Sequence, residues 1–143
     1  MNPTAKFSAA RRVEWVGTVQ SGAGGASKAF AYADGRRIAE IERVIGVRPL
    51  PGSLNVRLSA PFDWDGAPYT RAQILDVVDR SKGLDSEWAP RWGRFYALSV
   101  DGIPCWAFRF EGERYPLNFI ELIAPVRLRD HIRGDRVTVG VRE

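Results

Sequence analysis

The dipeptide Asp101-Gly102 constrains the fold more than any other feature of the chain. It separates two runs rich in aromatic and β-branched residues, Gly93 to Val100 and Ile103 to Phe110. A two-residue loop between antiparallel strands requires positive φ at its central positions, and Asp-Gly tolerates this. The spacing therefore predicts a long β-hairpin. An isolated hairpin is marginal in water, so further strands must cover it. Val13 to Gln20 alternates and is rich in β-formers, Ala29 to Tyr32 reads as a short second strand, and Leu54 to Leu58 has a period of two. Phe119 to Ile123 reads as a buried strand and Arg136 to Val141 as the last one.

Helical signals are fewer. Arg36 to Ile45 carries Ile38, Ile41, Val44 and Ile45 at helical spacing, with Asp34 as N-cap and Gly46 as C-terminal stop. Arg71 to Asp79 reads as a short helix. Val126 to His131 reads as a short helical turn, closed by Arg133-Gly134-Asp135. Pro49 to Ser53 is a turn, and Ala60 to Pro68 and Gly83 to Pro90 are loops. The expected fold class is mainly β: a compact β-barrel of about six or more strands with two or three short helices. Residues 1–12 are expected to be a flexible lead and 13–143 a single domain. The 143 residues suffice for one core, and 45% hydrophobic with 27% charged residues is a globular balance.

Composition narrows the function classes. No apolar run approaches the roughly 20 residues of a membrane span, so no membrane partner is expected. The single cysteine, Cys105, precludes an internal disulfide or a cysteine metal cluster, and a cytoplasmic location fits. A net charge of +4 suits a polyanion, whether nucleotide or nucleic acid. Lysine and arginine are spread along the chain and not massed in one run, which counts against nucleic acid.

Two motifs carry candidate chemistry. In Ser21-Gly22-Ala23-Gly24-Gly25-Ala26-Ser27-Lys28, a strand runs into three glycines and a lysine. Glycines let backbone N–H groups approach a phosphate, and the lysine adds a point charge. The spacing is neither a Walker loop nor a dinucleotide fingerprint, and on the loop alone a flexible surface loop is the simpler reading. In Pro51-Gly52-Ser53-Leu54-Asn55, a hydroxyl and an amide stand two residues apart at a strand start, hence on one face. Two neutral oxygens suffice for a magnesium ion shared with phosphates. A turn whose side chains hold their own backbone is the competing reading.

Read in order, these segments resemble the archaeal CTP-dependent riboflavin kinase family. The resemblance runs through Gly17-Thr18-Val19-Gln20-Ser21-Gly22-Ala23-Gly24 and Gly46-Val47-Arg48-Pro49-Leu50-Pro51-Gly52-Ser53-Leu54-Asn55-Val56. It continues in Ile120-Glu121-Leu122-Ile123-Ala124-Pro125-Val126-Arg127-Leu128-Arg129 and Gly134-Asp135-Arg136-Val137. Residues 60–90 match poorly. The resemblance implies a cradle-loop β-barrel that moves the γ-phosphate of CTP to the 5′-hydroxyl of riboflavin, giving FMN and CDP. It implies that Ala23, Gly24, Gly25, Ala26, Ser27 and Lys28 line the nucleotide phosphates, with Lys28 and Glu121 in catalytic roles. Val126, Arg127, Leu128 and Arg129 would also contact the nucleotide, Ser53 and Asn55 would hold Mg2+, and Glu113 and Glu121 would lie on the flavin side. Ser53 replaces the family's threonine and keeps its hydroxyl. Glu113 stands where the family has a flavin-contacting threonine, and Arg114 where it has a histidine, so another hydroxyl-bearing acceptor stays open. A non-catalytic nucleotide or flavin binder and a DNA-binding barrel are the other classes. The expected assembly is a monomer or small homo-oligomer.

Other residues are set aside on physical grounds. His131, beside a turn, reads as a surface histidine, and Cys105, between Pro104 and Trp106, as a small buried residue. Trp88 and Trp92 with Phe95, and separately Trp64, are candidates for stacking on a flat ring, with core packing the simpler reading.

Overall fold

The Asp101-Gly102 turn forms, with φ of 48° and 82° at its two residues. The computed structural model describes residues 13–20, 35–78 and 87–142. The turn joins β4 (Trp88–Val100) to β5 (Ile103–Phe110), which pair antiparallel from Val100↔Ile103 to Gly93↔Phe110. The Asp101 carboxylate also accepts the N–H of Thr138 at 2.8 Å, tying the turn to the last strand.

Around this hairpin stand β1 (Glu14–Gln20), β2 (Leu54–Leu58), β3 (Thr70–Val77), β6 (Phe119–Ile123) and β7 (Arg136–Val141). The order is β3-β4-β5-β6-β2-β1-β7, and β7 pairs again with β4. That last pairing closes a ring of β4, β5, β6, β2, β1 and β7, so the fold is a mainly antiparallel β-barrel. β3 lies outside the ring. It pairs with residues 88–95 of β4, whereas β7 pairs with residues 98–100 farther along. One long strand thus serves both the barrel and a two-layer flap.

Strand alternation fills the ring. Trp15, Val56, Leu98, Val100, Ala107, Ile120, Leu122 and Val139 point inward and are all nearly inaccessible. One end is plugged by Phe62, Trp64 and Tyr96, in edge contacts with centroids 4.7 to 5.3 Å apart. A second core lies on the outer face. There helix α1 (Arg36–Ile45) sets Ile38 and Ile41 against Ile74, Phe95, Phe110 and Ile123. Fully burying a side chain such as Ile41 contributes about 2 kcal/mol, which fixes the helix on β3. Gly46 ends α1 in the left-handed region (φ 83°), its N–H donating to Glu42 O at 2.8 Å.

Three expectations need correction. Arg71 to Asp79 is not a helix: Thr70–Val77 is strand β3, paired with β4 along its length. The segment alternates, but Asp76 falls among the buried positions and hides the pattern. Arg91 and Arg37 neutralise it there. The loop read over Gly83 to Pro90 is already β4 from Trp88 onward. The N-cap position of α1 is held by Gly35 (φ 73°) with no side-chain cap, not by Asp34. Among the described residues the helices are α1 and one 3-10 turn, Leu128–His131. The strand read at Ala29 to Tyr32 lies outside the described residues.

Pro90 shows how β4 tolerates a proline. Its partner Leu75 turns its N–H away from β4 and donates it to the Glu40 carboxylate of α1 at 3.0 Å. The pair is therefore a non-hydrogen-bonded one, and the missing donor costs nothing.

Candidate functional site

The Pro51-Gly52 turn is pinned before it enters β2. Leu50 donates its N–H to Ala124 O at 2.9 Å, and Gly52 takes φ 104°, a conformation costly for residues with a Cβ. β2 then alternates. Leu54, Val56 and Leu58 go into the core, and Ser53 and Asn55 go out. The Ser53 hydroxyl donates to Asn55 Oδ1 at 3.1 Å, so the two oxygens expected as a metal pair do lie side by side.

Asn55 sits between two polar neighbours. In register it faces Gln20 of β1 on one side and Glu121 of β6 on the other. Past β6 the chain runs through Ala124-Pro125-Val126 into the 3-10 turn. Leu128 is driven into the core, and this throws Arg127 and Arg129 outward on either side of it. A cleft of about 570 Å³ results, lined by Gln20, residues 50–55, Leu122, Ala124 and residues 126–129.

The cleft thus unites Ser53, Asn55, Val126, Arg127, Leu128 and Arg129, which are far apart in sequence. Its charges are weakly held. Arg127 lies 3.9 Å from Asp130 and Arg129 3.1 Å from Asp135, and all four side chains are largely exposed. Such pairs contribute about 0–1 kcal/mol, so an anionic ligand can replace them. Glu121 adjoins the cleft through Asn55, and its charge also favours the charged form of Arg109.

Glu113 stands in a different network. It forms an ion pair with Arg91, which also holds Asp76 at 2.8 Å. Ala23 to Lys28 lie outside the described residues. Gln20 and Leu50 line the cleft and were not singled out from sequence. Gln20 directly precedes the glycine-rich sequence, but its place opposite Asn55 follows from strand register alone.

Among the described residues, no group of three or more His, Cys, Asp or Glu is arranged to hold a metal ion. The neutral pair remains. Its 3.1 Å separation is close to the roughly 2.9 Å edge of an octahedron with 2.0–2.1 Å bonds, so Ser53 and Asn55 fit two adjacent positions of a magnesium ion. The residues set aside earlier behave as ordinary structure. His131 is exposed. Cys105 is buried, and desolvation pushes its thiol up to about 12. Trp92 is covered by the Arg71 guanidinium at 3.9 Å, while Phe95 stacks on Phe108 in the outer core. Three residues apart on one strand, they face opposite ways and form no common platform.

Residues 19–141 match the family model CTP-dep_RFKase, described as a domain of unknown function, DUF120. The chain is also similar to proteins named riboflavin kinase in several archaea. It is 32% identical to that of Methanosarcina acetivorans over 107 residues, 73% of this chain and 44% of the relative. For Methanospirillum hungatei the figures are 31% over 134 residues, 87% and 56%. For Pyrobaculum arsenaticum they are 30% over 138 residues, 90% and 60%. The chain spans about half the length of the curated relatives it matches.

Proposed function

The chain belongs to the CTP-dependent riboflavin kinase domain family, and from that premise we propose that it transfers the γ-phosphate of CTP to the 5′-hydroxyl of riboflavin, giving FMN and CDP. The observation that carries this reading is the cleft itself, where the Ser53–Asn55 oxygen pair, Arg127 and Arg129 stand together. The proteins named riboflavin kinase support the acceptor, and the family's name supports the donor.

Phosphoryl transfer is mostly positioning and charge stabilisation. Magnesium, when bound, supplies charge neutralisation at the phosphate oxygens. Ser53 and Asn55 would hold it and thereby fix the phosphate chain along the start of β2. Arg127 and Arg129 would exchange their exposed carboxylates for the nucleotide, and Ala23 to Lys28 would line its phosphates, with Lys28 as the added cation. Glu121 is the next side chain across the sheet from Asn55. In our reading it orients the acceptor hydroxyl or takes its proton, close to the phosphate being transferred. Glu113 would meet the acceptor as a carboxylate already neutralised by Arg91, which reduces the cost of a charge at this place.

The test is direct. The protein is incubated with CTP, magnesium and riboflavin, and the products are separated by chromatography. FMN and CDP in equal amounts are expected. CDP formed only with another acceptor would keep the donor and replace riboflavin. Equal affinity for CTP and ATP by calorimetry would remove the choice of CTP.

A further inference from the structure

We propose that Arg109 is a positioning residue for Glu121: its guanidinium takes over the β5–β6 connection where the backbone ladder stops, and so sets where the acceptor-side carboxylate stands. This rests on the reading of Glu121 given above.

The paired residues of β5 and β6 are Trp106↔Ile123 and Ala107↔Leu122. Toward Glu121 no further backbone rung follows between these two strands. Arg109, two residues beyond the last rung, donates from one guanidinium nitrogen to Phe119 O at 2.8 Å and to Pro116 O at 3.2 Å. Phe119 opens β6 and lies two residues before Glu121, on the same face of the strand. The side chain thus replaces backbone hydrogen bonds at the point where the acceptor residue is placed.

Arg109 is itself held firmly. Its guanidinium lies over the Trp64 ring at 3.6 Å and the Tyr115 ring at 4.7 Å. Trp64 donates to Leu117 O at 2.9 Å, and Leu58 and Asn118 exchange hydrogen bonds at 2.6 and 3.2 Å. Residues 115–119 are therefore fastened from β5, from the barrel plug and from β2. Burial weakens the charge on Arg109, while Tyr115, Tyr96 and Glu121 favour it. A planar, weakly hydrated guanidinium stacked on aromatic faces suits this position better than a lysine ammonium.

Arg142 offers a matched control. It also lies over an indole, that of Trp106 at 4.4 Å, and donates to two carbonyls, Leu98 O at 2.6 Å and Cys105 O at 3.0 Å. Its acceptors carry none of the site residues.

The experiment compares Arg109→Met, Arg109→Lys, Arg142→Met and Glu121→Gln with the parent protein. Riboflavin binding is read by quenching of flavin fluorescence, CTP binding by calorimetry, and KM and kcat by turnover. Arg109→Met is expected to weaken riboflavin binding about tenfold, with CTP affinity changed less than about twofold, as loss of one positioning contact implies. Arg109→Lys should recover part of the loss, and Arg142→Met should lower Tm without touching riboflavin affinity. Equal losses for CTP and riboflavin in Arg109→Met, or the same riboflavin loss in Arg142→Met, overturn the inference. If Arg109→Met does not fold, Arg109→Lys decides, and parental riboflavin affinity there overturns it. If Glu121→Gln has parental binding and turnover, the role of Glu121 fails and the inference with it. If Glu121→Gln is impaired and Arg109→Met is not, only the positioning role falls.

Discussion

Arginines on the two sides of this barrel are treated in opposite ways. On the flap of β3 and β4 they are consumed by the protein. Arg71 grips Glu111 with two hydrogen bonds at 2.8 and 2.9 Å, and Arg94 adds a third at 3.0 Å. Arg91 bridges Asp76 and Glu113, and Arg37 reaches Asp76 at 3.7 Å beside three aromatic rings. Beside β2, by contrast, Arg127 and Arg129 extend into solvent with exposed, loosely placed carboxylates. The difference lies in hydrogen-bond saturation and not in exposure alone, since Arg71 is as exposed as Arg129, and it sets a self-satisfied network apart from the open cleft. A cation enclosed by carboxylates and rings holds strands together, whereas one at the rim of an open cleft keeps its charge for a ligand.

The largest effect that would break this contrast concerns the cleft. Ser53→Ala with Asn55→Ala is expected to reduce magnesium-dependent transfer by about 100-fold or more, on the scale of lost electrostatic stabilisation, with Tm little changed. Unchanged turnover would return the pair to the role of a plain turn. Next comes the flap. Asp76→Ala leaves Arg37 buried beside its rings, which costs about 3 kcal/mol and lowers Tm by roughly 10 °C. At a temperature where the variant is folded, its KM for CTP should equal the parent's, and a large shift in KM would blur the division. Arg129→Ala should raise KM for CTP about tenfold, worth roughly 1.4 kcal/mol, with no change in melting.

A smaller effect is read through pH. The hydrogen bonds from Arg71 and Arg94 hold the Glu111 carboxyl at about 2, below its ordinary 4.5. A carboxylate depressed on folding stabilises the folded state above its unfolded pKa. That contribution is whole above about pH 4.5 and is lost as pH falls toward 2. Melting curves of the parent and Glu111→Gln across this window should differ in slope, with the parent falling faster. Parallel curves would mean that these ion pairs add nothing. Smallest of all, Cys105 should resist thiol reagents at pH 8 while the barrel is folded, since it is fully buried and desolvation pushes its thiol up to about 12. Fast labelling would show that the barrel opens more often than its packing implies.

The parts legible in the sequence were those governed by local rules. The Asp-Gly turn, the period of two in Leu54 to Leu58 and the apolar stripe of Arg36 to Ile45 each carried their own signal. β3 did not, because Asp76 occupies a buried position that only Arg91 and Arg37, on other elements, make tolerable. The site follows the same division. Ser53 and Asn55 were readable from strand geometry, and their link to residues 126–129 came from resemblance. Gln20 opposite Asn55, and Arg109 behind Glu121, depend on register and on ring contacts across the sheet, which spacing along the chain does not encode.

The contact between Glu40 and Leu75 has a consequence for the molecule's behaviour in a crowded solution. β3 is the strand outside the ring, and no strand among the described residues pairs with its outer edge, whose main-chain donors another polypeptide could use to extend the sheet. The Glu40 carboxylate occupies one of these donors and places helix α1 alongside. An incoming strand would have to displace both a hydrogen bond and a packed helix, so the flap resists self-association at the place where a barrel with an extra strand is most exposed to it.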